Sequence, residues 1–288
     1  MTSRTRVAPS PVLIAGAGIA GLTAALALAA RGFEATVLER RAEPAETGTG
    51  LSLGANSTRL LRELGLGSAL SRTGNELARV EWRLGRRGWT IAVSASGIGH
   101  QAMFGAPSVN LRRAHLHAAL LEAVRAEPRI RLLTGRGVVG LEDDADGVTM
   151  ITSDGERHRG WVAVGADGIH SRIREALLGE GSGPRHAGEI AWRAIVPASA
   201  LPATERLNGR FVFWLGPDRH ALAYPMDGPD APSINVGAFV KTAEPPARVR
   251  AWASRTRWCW PGSCTADRTT RSPRSSRTGP RADPGYDG

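Results

Sequence analysis

Cysteine is nearly absent from this 288-residue chain, and its scarcity excludes two kinds of fold. Cys259 and Cys264 are too few and too close together for a disulfide framework or a four-ligand zinc site. Hydrophobic residues make up 42% and charged residues 22% of the chain, near the globular average, which excludes wholesale disorder and fibrous repeats. The sequence therefore predicts a soluble, cytoplasmic protein with reduced thiols and no metal site.

Lysine is scarce as well, since Lys241 is the single lysine among 37 basic residues, which face 27 acidic ones. From residue 241 onward there are ten basic and four acidic residues, so the first 240 residues carry only four of the ten net positive charges. A nucleic-acid-binding protein concentrates positive charge on a motif, with aromatic side chains for stacking. This sequence has no such motif, and we expect no nucleic-acid partner.

Residues 12–30 carry no charge, and their composition alone also fits a secretory signal or a marginal membrane span. Three glycines divide this stretch into an aliphatic strand at residues 12–15 and an Ala/Leu-rich helix at residues 20–31. A second aliphatic strand is expected at residues 35–39. Because strand, helix and strand in this order make a βαβ unit, we expect no membrane segment.

The segment GAGIAG at residues 16–21 has the spacing of a dinucleotide-binding fingerprint. Gly16 permits a tight turn, Gly18 lets the backbone approach a pyrophosphate, and Gly21 allows close packing of helix on strand. Glu39, 18 residues after Gly21, can accept hydrogen bonds from both hydroxyls of an adenosine ribose. The structural alternative is a glycine-rich turn with a surface glutamate, but the flanking strand and helix favour dinucleotide binding.

A second strand-to-helix turn, GADG, occupies residues 165–168 after a predicted strand at residues 161–164. Asp167 and Gly168 suit a backbone approach to another phosphate-bearing group, and Ser171 can cap the helix that follows. From the residues alone, an ordinary Asp-Gly turn stays an open alternative.

The remaining predicted elements change from mixed to mainly β near residue 185. They are a hairpin within residues 77–93, helices at 57–64 and 113–125, strands at 138–141 and 147–152, and four β segments between residues 190 and 240.

Four segments occur together in this chain: GAGIAG with Glu39, residues 48–56 (GTGLSLGAN), the helix start RAHL at Arg113, and VGADGIHSRIR. In this combination the chain, over residues 11–245, resembles the FAD-dependent aromatic-ring hydroxylases of the salicylate hydroxylase and para-hydroxybenzoate hydroxylase type. The segments AWRAIVP, FWLGPDRHALAYPM and NVGAFV resemble that family's substrate-side strands in the same order. The resemblance implies FAD as the cofactor, NADH or NADPH and O₂ as co-substrates, and hydroxylation of a small phenolic or aromatic-acid substrate.

The resemblance also implies which residues contact the cofactor. The glycines of GAGIAG hold the FAD pyrophosphate, the loop that contains Gly50 lies beside the isoalloxazine, Arg113 contacts the flavin, and the Asp167 turn serves both FAD and NAD(P)H. The expected cofactor-binding residues are Gly16, Gly18, Gly21, Glu39, Arg40, Gly50, Arg113, Asp167 and Gly168.

His220 and Tyr224 are the predicted catalytic residues. They are four positions apart on a predicted strand and therefore share one face, with Leu222 between them. A histidine titrates near neutral pH and is suited to accept a phenol proton, and a tyrosine can orient it. The alternative is that both are half-buried structural residues of the sheet.

The predicted fold class is α/β, with a Rossmann-like, three-layer FAD-binding domain and an inserted β-sheet substrate domain. We assign residues 1–75 and 100–180 to the FAD-binding domain and residues 76–99 and 181–250 to the substrate domain. The third fingerprint of the family, a Gly-Asp-Ala-Ala-His-like segment, is missing. Residues 251–288 contain no Leu, Ile, Val, Met or Phe, and we predict a disordered, non-native tail that arose by frameshift or truncation.

Two other functions stay open. The missing third fingerprint leaves a truncated, non-catalytic remnant of such an enzyme as one alternative. An FAD-dependent reductase, or an NAD(P)-dependent dehydrogenase that shares the first fingerprint only, is the other. The Asp-Gly turn and the long β-rich region disfavour a simple dehydrogenase.

Overall fold

The computed structural model describes residues 10–46, 49–85, 88–202, 207–228 and 232–242, all within one compact unit, Met1–Arg248. The tail predicted at residues 251–288 lies outside the described residues, as does Gly48. Within the described ranges the strands are β1 (Val12–Ala15), β2 (Ala35–Glu39), β3 (Gly50–Leu53), β4 (Asn75–Glu76), β5 (Arg79–Leu84), β6 (Trp89–Ala95), β7 (Val109–Arg112), β8 (Ile130–Thr134), β9 (Val138–Asp144), β10 (Gly147–Thr152), β11 (Arg157–Gly160), β12 (Val162–Gly165), β13 (Glu189–Pro197), β14 (Arg210–Gly216), β15 (Arg219–Met226) and β16 (Ser233–Lys241). The helices are α1 (Ile19–Ala29), α2 (Ala55–Glu63), α3 (Gly67–Thr73), α4 (Ile98–Phe104), α5 (Arg113–Ala126) and α6 (Arg172–Leu178).

A parallel sheet has four short strands in the order β12-β1-β2-β8. β1 and β2 are mainly aliphatic and fully buried, as parallel strands covered on two faces must be. α1 connects β1 to β2, so the predicted βαβ unit is confirmed. The uncharged residues 12–30 are thus a strand followed by a helix, and no helix in the described ranges is long and apolar enough to span a bilayer.

Different hydrophobic layers cover the two faces of this sheet. On one face Val12, Ile14 and Val37 pack against α1 and α5. On the other face Leu13 and Leu38 pack against α6 and the antiparallel sheet β11-β10-β9. This division follows from the alternation of side chains along each strand. The predicted three-layer α/β fold is therefore confirmed.

A six-stranded sheet has the order β13-β16-β15-β14-β5-β6. Its hairpin β5–β6 confirms the hairpin predicted within residues 77–93, and its other four strands confirm the β region predicted after residue 190. Leu77, Phe211 and Tyr224 form a separate hydrophobic cluster on this sheet. The division of the chain into two domains at the boundaries given above stays a prediction.

A small antiparallel sheet, β3-β7-β4, lies beside the six-stranded sheet and was not predicted. Its strands have two to four residues (GLSL, NE and VNLR), too short to show a clear hydrophobic period. β7 packs against β15, and it ends at Arg112, where α5 begins without an intervening loop. The first turn of α5 is therefore held close to the six-stranded sheet.

Candidate active site

In the glycine loop between β1 and α1, two backbone segments come so close together that there is no room for a side chain at Gly16 or Gly21. A Cβ atom on Gly21 would lie 1.9 Å from the carbonyl oxygen of Gly16, and one on Gly16 would lie 2.5 Å from that of Ala166. Gly16 also has a φ of 99°, which favours glycine. A Cβ on Gly18 would meet nothing within 4 Å, so packing does not require glycine there.

Glu39, at the end of β2, is buried against this loop with 9% of its surface exposed. Its Oε2 accepts a hydrogen bond from the backbone N–H of Ala17 at 2.8 Å, and its Oε1 accepts one from Arg41 at 2.9 Å. A carboxylate has about four acceptor positions, so two stay available to a ligand. The neighbouring Arg40 is exposed.

The Asp167 turn connects β12 to α6 at the same edge of the parallel sheet. Gly168 has a φ of 85°, and Asp167 accepts hydrogen bonds from the Ser171 hydroxyl and the Arg172 N–H, both at 2.6 Å. Ser171 Oγ accepts one from the Arg174 N–H at 2.9 Å, which confirms the predicted helix cap. The Asp167 carboxylate therefore also stabilises the start of α6.

A first cavity, with a volume of about 1000 Å³, opens where β1, β2 and β12 end. It brings together most of the predicted cofactor residues, whereas Gly21 packs behind the loop and Gly50 lies elsewhere. Those that line it are Gly16, Gly18, Glu39, Arg40, Arg113, Asp167 and Gly168. Several arginines, including Arg172, Arg174 and Arg185, also line this cavity and favour an anionic ligand.

A second cavity, of about 380 Å³, lies between β3 and the six-stranded sheet. It is lined by Thr49, Gly50, Leu51, Ser52, Arg113, Arg193, Phe211, Leu222, Tyr224 and Asn235. Arg113 lines both cavities and forms a bidentate ion pair with Glu46, at 2.9 and 3.1 Å. Arg113, the first residue of α5, is therefore a wall residue of both cavities.

Gly50 forms part of the wall of the second cavity because the six-stranded sheet approaches it closely. A Cβ atom on Gly50 would lie 2.8 Å from the Tyr224 hydroxyl. The Gly50 N–H donates a hydrogen bond to Asn235 Oδ1 at 3.2 Å. Glycine is thus the residue that fits here without displacing Tyr224.

The structure separates the two predicted catalytic residues, although both lie on β15 and share its face. Tyr224 is buried and lines the second cavity, whereas His220 lies outside both cavities, stacks on Phe239 at 4.4 Å and has Nδ1 3.6 Å from Glu189. Four residues of extended strand span about 13 Å, which is too far for both side chains to act on one proton. The expected His220–Tyr224 pair is therefore not formed.

Burial raises the pKa of Tyr224 to about 12, although the positive charge of Arg193 partly opposes this shift. The phenol of Tyr224 is therefore neutral at physiological pH and can donate a hydrogen bond. Arg193 contacts Thr49 Oγ1 at 3.5 Å and lies 5.7 Å from the ring of Phe239. Within the described residues it has no carboxylate partner.

Three residues of these cavities matter below but were not among the predicted site residues: Arg193, Asn235 and His117. Arg193 stands in the segment AWRAIVP and Asn235 in NVGAFV, and the resemblance of both segments to substrate-side strands was the available signal. His117 carries no local signal, because helix packing brings it to the site.

Comparison with known proteins gives a consistent result. The family described as "FAD binding domain" matches residues 9–281. The chain is 37% identical over 225 residues to 3-amino-4-hydroxybenzoate 2-monooxygenase PtnB3 of Streptomyces platensis, covering 78% of this chain and 54% of that protein. It is 34% identical over 238 residues to 3-hydroxybenzoate 6-hydroxylase 1 of Aquipseudomonas alcaligenes, covering 83% and 60%. The chain thus spans about half the length of these curated relatives.

Solved structures are similar over the same part of the chain. HpxO of Klebsiella pneumoniae, in a complex with FAD and uric acid, has a TM-score of 0.69 at 25% identity, covering 83% of this chain and 58% of that one. The 2,6-dihydroxypyridine-3-hydroxylase of Arthrobacter nicotinovorans has a TM-score of 0.68 at 27% identity, covering 82% and 57%.

The glycine loop predicts that Gly21 is needed for packing and therefore for stability, whereas Gly18 is not. Gly21→Ala is expected to lower the free energy of unfolding by about 3 kcal/mol, because its Cβ collides with the Gly16 carbonyl. Gly18→Ala is the matched control, and it should cost no more than about 1 kcal/mol, the penalty of alanine at a helix N-cap. Urea unfolding of both variants measures this difference, and equal losses would contradict the packing argument.

The raised pKa of Tyr224 generates a prediction about alkaline stability. The unfolded tyrosine ionises near pH 10 while the folded one stays neutral to about pH 12, so its contribution is intact below pH 10 and lost as the pH rises between these values. The free energy of unfolding should fall by about 2 kcal/mol more in the unsubstituted protein than in Tyr224→Phe across this range. Equal falls in the two proteins across this range would contradict the raised pKa of Tyr224.

Proposed function

This chain belongs to the FAD binding domain family, and from that premise we propose that it is an FAD-dependent monooxygenase. It uses NADH or NADPH and O₂ to hydroxylate a small aromatic substrate. The observation that carries this proposal is that Arg113 lines two cavities, one suited to a dinucleotide and the other to a single aromatic ring. FAD, when bound, supplies the electron transfer and oxygen activation, so the protein needs no nucleophile of its own.

The first cavity fits FAD in the chemistry of its donors and acceptors. Gly16 and Gly18, with Gly21 packed behind them, open the start of α1 to the pyrophosphate, where backbone N–H groups and the helix dipole favour negative charge. Glu39 accepts the ribose hydroxyls with its two available acceptor positions. Arg40, Asp167 and Gly168 complete the walls around the remaining phosphate and ribityl groups.

In this proposal, Arg113 and Gly50 orient the cofactor. Arg113 lines both cavities and Gly50 lines the second, so in this proposal they adjoin the redox-active end of the flavin. The absence of a side chain at Gly50 leaves room for a flat ring system beside Tyr224. Glu46 holds Arg113 by an ion pair and limits its movement.

The second cavity supports an aromatic acid as the substrate. Phe211 and Leu222 offer apolar surfaces to a ring, while Arg193 offers a guanidinium with no carboxylate partner among the described residues. An arginine in this setting recognises a carboxylate through charge-assisted hydrogen bonds. Two relatives named above are a 3-hydroxybenzoate 6-hydroxylase and a 3-amino-4-hydroxybenzoate 2-monooxygenase, names that agree with this choice.

Tyr224 keeps the role of a substrate-side residue in this proposal, but as a hydrogen-bond donor. Its raised pKa keeps the proton on the phenolic oxygen, which can hold a ring substituent in place. His220 stays a proposed proton acceptor, but because it lies outside both cavities it would receive the proton through intervening water rather than directly. Loss of hydroxylation in Tyr224→Phe, but not in His220→Ala, would assign the role to Tyr224 alone.

The proposed cofactor site predicts a specific loss in Glu39→Gln. This change keeps the size of the side chain but removes its charge, and we expect FAD binding to weaken by about 1–3 kcal/mol, measured by fluorescence titration. Glu43→Gln, an exposed change four residues away, is the control and should leave the affinity unchanged. Equal affinities in both variants would remove Glu39 from the site.

The activity itself is tested with 3-hydroxybenzoate and phenol as paired substrates. The FAD-loaded protein should oxidise NADH or NADPH faster in the presence of the acid and release a hydroxylated product. Arg193→Leu should raise the KM for the acid by roughly tenfold or more and leave the KM for phenol nearly unchanged, because only the acid offers a carboxylate. NAD(P)H oxidation without hydroxylated product would instead favour a reductase of the same fold.

A further inference from the structure

His117 is a buried histidine that neither the fingerprint nor the proposed chemistry uses. It lies in α5, one turn after Arg113, and only 4% of its surface is exposed. Its Nε2 lies 2.8 Å from the carbonyl oxygen of Ala17, the residue between Gly16 and Gly18. Because a carbonyl oxygen can only accept, Nε2 carries the proton and donates it.

The backbone of Ala17 is therefore held by hydrogen bonds on both sides of its Cα atom. Its N–H donates to Glu39 Oε2 at 2.8 Å, and its carbonyl accepts from His117. The preceding Gly16 N–H donates to the carbonyl of Leu38 at 2.8 Å. These contacts come from elements that are 22 and 100 residues away from Ala17 in sequence. They fix the direction of the loop before any ligand arrives.

The direction of the Ala17 carbonyl matters because an anion is expected at this loop. A carbonyl oxygen that faced a phosphate would repel it, whereas one that accepts a hydrogen bond from α5 is turned to the protein and partly neutralised. His117 lines the first cavity together with Ala17 and Gly18, so this contact lies in the wall of the proposed cofactor site.

We propose that His117 is a positioning residue for the dinucleotide: it holds the Ala17 carbonyl so that the glycine loop presents only N–H groups to the pyrophosphate. This inference rests on the proposed function for the identity of the ligand. His117 and Arg113 are four residues apart and therefore share one face of α5. The same helix thus holds the glycine loop through His117 and lines both cavities through Arg113.

The test compares three variants of the full chain by FAD fluorescence titration and by thermal unfolding without FAD. His117→Leu removes the donor and should weaken FAD binding by roughly tenfold. His117→Gln, whose amide can still donate, should restore the affinity to within about threefold. The matched control is Val124→Ala, also a buried position of α5, which should lower the unfolding temperature and leave FAD affinity unchanged.

Two results of the FAD titration would overturn this inference. One is FAD affinity in His117→Leu equal to that of the unsubstituted protein, and the other is a loss in His117→Gln as large as that in His117→Leu. A separate measurement needs no FAD: long-range ¹H–¹⁵N NMR of the ligand-free chain should show His117 as the Nε2–H tautomer. The Nδ1–H tautomer would overturn the inference even if FAD binds. Absence of FAD binding by the unsubstituted chain, with the Nε2–H tautomer present, would instead count against the proposed function and support the loop contact.

Discussion

The close approach of three backbone segments, the end of β1, the first turn of α1 and the end of β12, is the constraint on which the rest of the structure depends. Gly16, Gly21 and Ala166 lie so near one another that neither glycine has room for a Cβ atom. This contact lets α1 begin directly against the parallel sheet, and it opens a cavity where the strands end. Since the backbone itself forms that wall, its N–H groups are available to a ligand.

The junction of β7 with α5 connects the region of the glycine loop to the six-stranded sheet. Arg112 donates to the buried carboxylate of Asp227 at 2.8 Å, and Asp227 also accepts from Ser233 at 2.5 Å. Asp227 has a φ of 65° in the turn between β15 and β16, a conformation that these contacts stabilise. Arg113 and His117 follow in the same helix. A short stretch of chain therefore links the sheet that bears Tyr224 to the glycine loop. Loss of Arg112 would remove the guanidinium partner of the buried Asp227 carboxylate, which destabilises the fold.

The two cavities differ in the chemistry that their walls offer. The first is rich in arginine and backbone N–H groups, which suits a dinucleotide with two phosphates. The second combines aromatic and aliphatic surfaces with one guanidinium and one neutral phenol, which suits an aromatic acid. Since Arg113 lines both cavities, the proposed cofactor and the proposed substrate would adjoin at this residue.

The sequence by itself determined the βαβ unit, the hairpin β5–β6, the strands of the six-stranded sheet and the Ser171 cap, because each has a local hydrophobic period or a local hydrogen-bonding pattern. It also determined the glycine loop with Glu39, where spacing carries the information. Only the tertiary structure decided that Tyr224 lines the second cavity and that His220 lies outside both, since a shared strand face does not show which part of a sheet borders a cavity. It alone showed that Arg193, Asn235 and His117 line the cavities, because contacts between residues far apart in sequence are not visible in the local pattern.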